Sequence, residues 1–195
     1  MKYYGLILAF AIFLLQSCTG SSNYKAEQEA TLDTIAVEDP ADEAAATDAW
    51  EIQYFVDDFG EETKEGFIVN VCQGEFSNSA TTDSPLIVRI IVTPDDIRFD
   101  MYEYGSHYMK GEETLEFRAK LPDDSEVKFK TYNYDNGPNS VVKADMAKVK
   151  ELFEKYPKLR FAARTLSPYS TSTYRFVYEG NPEVFKTKLE ELSAK

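Results

Sequence analysis

The chain has 195 residues and a formal net charge of −13, and it contains two cysteines and one histidine. The acidity argues against nucleic acid and anionic lipid surfaces as partners, because both bind to positive patches. One histidine and two cysteines are too few for the clusters that form zinc sites. The composition therefore predicts no metal ion and no other cofactor.

The first residues have the order of a secretory signal peptide. Lys2 supplies positive charge, residues 5–15 form an apolar run, and the small residue Ser17 precedes Cys18. The apolar run is about half of the ~20 residues that a helix needs to cross the hydrocarbon core of a membrane. We therefore expect residues 1–17 to be removed rather than to remain as a membrane span.

The residues around the expected cleavage point resemble the lipobox of bacterial lipoproteins. Leu15 stands three residues before Cys18 and the small residue Ser17 directly before it, whereas Gln16 departs from the small or aliphatic residue usual between them. The resemblance implies that Cys18 becomes the acylated first residue of the mature chain. Two or more acyl chains hold a protein on a bilayer. An ordinary signal peptide that is cut near Ser17 is the alternative.

Residues 18–49 are predicted to be a disordered acidic tether. They are rich in Ala, Asp, Glu, Ser and Thr, and they contain neither strand alternation nor a sustained helical period. Such a composition buries too little apolar surface to offset the entropy of ordering. Residues 26–49 carry eight acidic side chains and no Lys or Arg. A flexible chain of this length spans roughly 30 Å and would give the domain reach.

Two features of this tether bear on sorting and modification. In many Gram-negative bacteria an Asp after the lipidated cysteine retains a lipoprotein in the inner membrane, whereas Thr19 follows Cys18 here. The acidic run that takes some Bacteroidota lipoproteins to the cell surface is also missing at this point. The periplasmic leaflet of the outer membrane is therefore favoured, with the cell surface as the alternative. Asp33-Thr34-Ile35 resembles the Asp-(Ser/Thr)-aliphatic acceptor for O-glycosylation in exported Bacteroidota proteins, with Thr34 as the acceptor, and a chance match is the alternative.

The remaining residues, 50–195, have the size of one domain and a formal charge of −7. Segments of alternating apolar and polar residues predict about eight short strands. The clearest unit is a hairpin whose strands, 114–121 and 126–132, flank the turn residues Pro122-Asp-Asp-Ser125. Cys72, which has no intramolecular disulfide partner once Cys18 is lipidated, is predicted to be a buried thiol in a strand.

Two helices are predicted beside these strands. Asp145 is a candidate cap for a helix over 145–156, and Asn181 followed by Pro182 opens a helix over 182–193. Short antiparallel strands with few helices are typical of a layered β fold. We therefore predict a mainly β domain, namely an antiparallel β-sandwich of about eight strands with two peripheral helices.

The run Gly74-Glu-Phe-Ser-Asn-Ser-Ala-Thr81 resembles uncharacterised exported lipoproteins of the Bacteroidota, which share Gly-x-Phe-Ser-Asn-Ser-Ala-Thr. Further similarity lies at Asp57-Asp-Phe-Gly60, Tyr102-Glu-Tyr-Gly105 and Ser172-Thr-Tyr-Arg-Phe176. The resemblance implies a shared fold over most of residues 50–180 and assigns no activity. From the residues alone, 76–85 is either a turn that orders the next strand or a ligand loop.

A surface for binding is predicted around Tyr102, Tyr104, His107 and Tyr108. Strand parity places Tyr102 and Tyr104 on the face opposite Phe99 and Met101. Amphipathic tyrosines on an outer face can stack on sugars or form protein interfaces. The alternative is that these rings pack beneath a loop or a second layer.

No catalytic residues are predicted. The chain lacks a Gly-x-Ser-x-Gly elbow, and Ser106 would point away from its neighbour His107 in a strand, so a catalytic triad is not expected. The acidic pairs do not have the spacing of a calcium loop. We therefore predict a membrane-anchored binding module for an envelope protein or glycan. The alternative is a glycan hydrolase, because its two carboxylates need not be close in sequence.

Overall fold

The computed structural model describes residues 49–109, 114–133 and 138–194. Cys18, Thr34 and the predicted signal peptide lie outside these residues. The elements in chain order are β1 (Glu51–Val56), β2 (Glu62–Ser77), β3 (Ser84–Val92), β4 (Ile97–Glu103), β5 (His107–Tyr108), β6 (Thr114–Lys120), β7 (Glu126–Tyr132), β8 (Asn139–Val141), α1 (Met146–Lys155), β9 (Lys158–Thr165), β10 (Thr173–Glu179) and α2 (Pro182–Ser193).

The strands form one antiparallel sheet that closes on itself as a barrel of eight strands. The order around the ring is β2-β10-β9-β6-β7-β8-β4-β3, and β3 pairs again with β2. The mainly β antiparallel fold with two helices is confirmed, but the predicted sandwich is wrong. The reason is β2, which pairs with β10 on one side and with β3 on the other, so that no break divides the strands into two sheets.

The predicted hairpin is present, because β6 pairs with β7 across the turn at Pro122–Ser125. Its inward residues Leu115, Phe117 and Phe129 are at most 2% exposed. These two phenylalanine rings are stacked, with their centroids 5.0 Å apart. An eight-stranded barrel has an interior just wide enough for side chains to fill. The rings of Phe99, Phe161 and Phe176 complete this aromatic filling.

Both helices lie at the same end of the barrel. Helix α1 ends shortly before β9 begins, and α2 begins shortly after β10 ends, so both flank the same ends of two neighbouring strands. Trp50 is fully buried there, and its ring centroid lies 5.5 Å from that of Phe153 in α1 and 4.9 Å from that of Phe185 in α2. We call this the helix end. The opposite end, where β4 and β9 finish and β10 starts, is the mouth.

The two helices begin differently. Asn181 caps α2 as predicted, since its Oδ1 accepts hydrogen bonds from the backbone N–H groups of Glu183 and Val184. Asp145 occupies the N-cap position of α1, as predicted, but its side chain makes no capping hydrogen bond. Its carboxylate instead accepts from the backbone N–H of Lys130 and from Lys148 Nζ, both at 2.9 Å. Asp145 therefore ties α1 to strand β7.

The interior becomes polar on β7 and β8. Thr131 lies opposite Val141 in the β7–β8 register, and Asn133 and Asn139 flank the gap between these strands. All three side chains are fully buried. Within the described residues, neither asparagine amide has a hydrogen-bond partner. The mouth side of β7 and β8 thus differs from the aromatic centre of the barrel.

Candidate ligand cleft at the barrel mouth

A cleft of about 560 Å³ opens at the mouth. Three loops contribute its walls: the β4–β5 hairpin, the β2–β3 loop and the segment that leads into β10. The side chains that they supply include Tyr104, His107, Tyr108, Asn78, Ser172 and Tyr174. Three of the four residues predicted for a binding surface therefore line this cleft, and Tyr102 does not.

The β4–β5 hairpin has a tight turn of the type that favours Asn-Gly. Ser106 N–H donates to the Glu103 carbonyl at 3.2 Å, and the two residues between them, Tyr104 and Gly105, have φ values of +53° and +74°. Positive φ at both central residues defines a type I′ turn. The left-handed conformation costs a residue with a Cβ about 1–2 kcal/mol. Tyr104 is therefore a strained residue at the entrance of the cleft.

The turn places Tyr102 and Tyr104 in different surroundings, although strand parity predicts that they share one face. Tyr102, within β4, pairs with Tyr108 of β5, and their ring centroids are 5.3 Å apart. Tyr104 lies beyond the end of β4, and its ring packs edge-on against the buried ring of Phe76 at 4.9 Å. The Tyr104 side chain remains 51% exposed. Tyr104 therefore presents its ring at the mouth instead of on the outer wall.

Two tyrosine hydroxyls at this end are engaged by carboxylates. Tyr174 OH donates to Glu103 Oε1 at 3.0 Å, and Tyr108 OH donates to Asp100 Oδ1 at 3.3 Å. Burial and the neighbouring Asp100 carboxylate raise the pKa of Tyr108, so its hydroxyl stays protonated. Burial likewise raises the pKa of Asp100. These bonds fix the cleft walls in position.

The β2–β3 loop is ordered by its own short side chains. Asn78 Oδ1 accepts from the backbone N–H groups of Ala80 and Thr81, and Ser77 Oγ accepts from Asp83 N–H at 3.0 Å. This is the turn that orders the following strand, one of the two interpretations of residues 76–85. The other interpretation is compatible with it, since Asn78 also lines the cleft. Among the described residues, its side-chain NH₂ group makes no hydrogen bond.

The neighbours Ser106 and His107 do meet, contrary to the prediction that they point apart. Ser106 Oγ lies 3.2 Å from His107 Nδ1, because Ser106 ends the turn and His107 begins β5, so the two are not part of one continuous strand. Both side chains are exposed. A catalytic triad needs a third group that orients the histidine. No described carboxylate forms a hydrogen bond or ion pair with His107, so the geometry is not that of a triad.

Cys72 is a buried side chain in β2, as predicted. Its thiol donates to Asn70 Oδ1 at 3.2 Å, and burial raises its pKa to about 12. A thiol with so high a pKa is a poor nucleophile at neutral pH. The described part of the chain also contains no group of three or more His, Cys, Asp or Glu side chains arranged to hold a metal ion.

Sequence reasoning missed Ser172 and Tyr174 because they reach the cleft from the start of β10 and the residue before it, which are distant from Tyr104 in sequence. Among the described helices, none has the length and apolar character needed to span a membrane.

Comparisons with protein-family models, curated proteins and solved structures gave no match to this chain.

Proposed function

We propose that this chain is a lipid-anchored protein of the cell envelope whose barrel binds a glycan in the mouth cleft. The observation that carries the proposal is the half-exposed ring of Tyr104, which a strained turn holds at the entrance of the cleft. Aromatic rings with a polar edge are suited to contact with sugars. The cleft volume of about 560 Å³ also lies within the range of small-ligand sites.

The polar groups around Tyr104 favour an uncharged sugar. Asn78, His107 and Ser172 supply hydrogen-bonding groups to the cleft, and Glu103 supplies a carboxylate. The negative formal charge of the chain disfavours an anionic ligand at this carboxylate. A neutral oligosaccharide matches this set of donors and acceptors.

Tyr104→Ala is expected to weaken glycan binding about tenfold, because an aromatic stacking contact of about 1.4 kcal/mol is lost. Binding of neutral oligosaccharides can be followed by calorimetry. The matched control is Tyr169→Ala, since Tyr169 lies in the β9–β10 loop at the same end, is 97% exposed and does not line the cleft. Equal affinity of both variants and the unmodified protein would contradict the proposal.

A carboxylate-based glycan hydrolase is the second candidate, and Glu103 is the observation in its favour. Glycoside hydrolysis generally uses two carboxyl groups that flank the scissile bond. Among the described residues, Glu103 is the one carboxylate that lines the cleft. Release of reducing ends from a bound glycan, abolished by Glu103→Gln, would favour the hydrolase over the binding module.

The anchor is proposed from Leu15, Ser17 and Cys18, and its site is the periplasmic leaflet of the outer membrane, with the cell surface as the alternative. Cys18→Ser is expected to leave the precursor unprocessed or to release the protein from the membrane, because acylation requires the thiol. Membrane fractionation and metabolic labelling with palmitate measure this directly. Normal maturation and membrane retention of the variant would refute the anchor.

Trp50 lies at the helix end, whereas the cleft lies at the mouth. A tether that joins the domain at Trp50 is thus attached at the end opposite the ligand cleft. This arrangement supports a role in which the anchored domain reaches toward its ligand. Thr34 is proposed as an O-glycosylation site on the same tether.

A further inference from the structure

Four arginines surround Ala162 on the outer wall of the barrel. In the strand register, Ala162 of β9 lies opposite Arg175 of β10 on one side and opposite Arg118 of β6 on the other. Arg160 and Arg164 stand two residues before and after it on β9. Neighbouring strands are about 4.8 Å apart, and alternate residues of a strand are about 6.6 Å apart. We call this group the arginine ring.

The arginine ring is accessible and borders a cavity. Its side chains are between 47% and 65% exposed. Three of the arginines, together with Lys120, line a cavity of about 560 Å³ whose lining carboxylates are Glu75 and Glu126. The cavity lining is therefore net positive in a chain of net charge −13. Asp83 and Asp124, which do not line the cavity, pair with Arg175 and Arg160 from its border, so an anion that enters the cavity has to displace such partners.

The ion pairs within the ring differ in closeness. Arg175 lies 2.5 Å from Asp83 and 3.3 Å from Glu75, and Arg164 lies 3.0 Å from Glu116. Arg118 and Arg160 are held more loosely, at 3.8 Å from Glu126 and 4.0 Å from Asp124. Exposed pairs of this kind contribute about 0–1 kcal/mol. A ligand carboxylate can therefore replace the partners of Arg118 and Arg160 at small cost.

We propose that the arginine ring binds a carboxylate-rich segment of extended polypeptide. Guanidinium groups bind carboxylates through paired hydrogen bonds, and the ring presents several of them around a low floor at Ala162. The side chains of an extended peptide on one face repeat at about the same 6.6 Å as the alternate residues of β9. An acidic peptide with carboxylates at alternate positions therefore matches the ring in charge and spacing.

An acidic peptide is favoured over an acidic polysaccharide by the floor of the cavity. The outward-facing floor residues are Ala162 and Val177, and the aromatic residues Phe161 and Phe176 are buried in the barrel interior. The floor thus offers no exposed aromatic ring on which a sugar could stack. Val177, which is 40% exposed, offers an apolar contact to a peptide side chain.

The test uses a fluorescent octapeptide of alternating Glu and Ser, titrated with the protein at low salt. Arg118→Gln with Arg160→Gln is expected to weaken binding by about tenfold or more. The control with equal net charge is Lys150→Gln with Lys186→Gln, because both lysines are exposed, lie on the helices and make surface ion pairs of their own. This control is expected to change the affinity by less than about twofold. Ala162→Phe fills the floor without changing the charge and is expected to abolish binding.

Three results would overturn the proposal. Equal losses in the two double variants would mean that only net charge matters, and undiminished binding by Ala162→Phe would mean that the peptide does not occupy the cavity. Tighter binding of an oligogalacturonate than of the peptide would assign the ring to acidic sugars. Tyr104→Ala is expected to retain peptide binding, so that failure of the mouth cleft as a glycan site and failure of the arginine ring are separate outcomes.

Discussion

Gly74→Ala is expected to lower the free energy of unfolding by more than about 3 kcal/mol, because the added methyl group overlaps the backbone of β10. A Cβ at this position would lie 2.1 Å from the carbonyl oxygen of Arg175 and 2.6 Å from Cβ of Phe176. Gly74 pairs with Phe176 at the contact that joins β2 to β10. The substitution therefore separates two strands whose pairing closes the barrel.

Urea denaturation followed by circular dichroism measures this effect. The matched control is Gly60→Ala, because Gly60 has φ of +82° but no atom within 4 Å of the position that an added methyl group would occupy. Its cost is confined to backbone strain of about 1–2 kcal/mol. If Gly74→Ala is no less stable than Gly60→Ala, the close approach of β2 and β10 is not required.

Trp50→Ala is expected to destabilise the domain by about 3–5 kcal/mol, which is the usual cost of removing a large buried aromatic side chain. Trp50 is fully buried among Phe153, Tyr178 and Phe185 at the helix end. Its Nε1–H donates to Tyr178 OH at 3.0 Å, and its carbonyl accepts from Lys188 of α2. The variant therefore loosens both helices from the barrel, which a lower midpoint in urea would report.

A double-mutant cycle separates the hydrogen bond from the packing. Trp50→Phe and Tyr178→Phe each leave one buried polar group without its partner, at a cost of about 1–3 kcal/mol. The double variant removes both groups, so its destabilisation is expected to be smaller than the sum of the two single effects. Strict additivity would show that the bond between Trp50 and Tyr178 does not contribute to stability.

The local elements of this fold are readable from the sequence because their signals are local. The hairpin of β6 and β7 follows from alternation around a polar turn, and α2 follows from the Asn181 cap before Pro182. Asp145 has the residue type of a helix cap, but its carboxylate does not bond to the backbone N–H groups of α1. Its carboxylate reaches Lys130 on β7, a contact made between elements that a local pattern does not contain.

Closure of the barrel is not readable in the same way. Alternation tells which side of a strand faces inward, but a sandwich and a barrel require the same alternation. The difference lies in the partners of β2, whose 16 residues pair with β10, β3 and β1 at different heights. Pairing between strands that are far apart in sequence depends on the whole chain, so it cannot be predicted from the residues of β2 alone.

The candidate cleft was only partly predictable, because one of its walls has a local sequence signal and the others depend on the pairing of distant strands. The aromatic segment from Tyr102 to Tyr108 stands out in the sequence, and it supplies one wall of the cleft. The position of Tyr104 within that wall depends on its left-handed backbone, which strand parity does not anticipate. Ser172 and Tyr174 join the site only because the ring of strands brings β10 to the same end.

A closed ring of strands has consequences for self-association. Strands with partners on both sides expose no row of free N–H and C=O groups to another molecule. Strand β1 pairs beside the ring, and within the described residues its partner is β2. Its Phe55 and Val56 are exposed, but Glu51 and Glu62 carry negative charge at the two ends of its pairing with β2. Two copies that approached through the β1 edge would bring these negative charges together. Electrostatic repulsion therefore disfavours self-association through the edge that is most open to another strand.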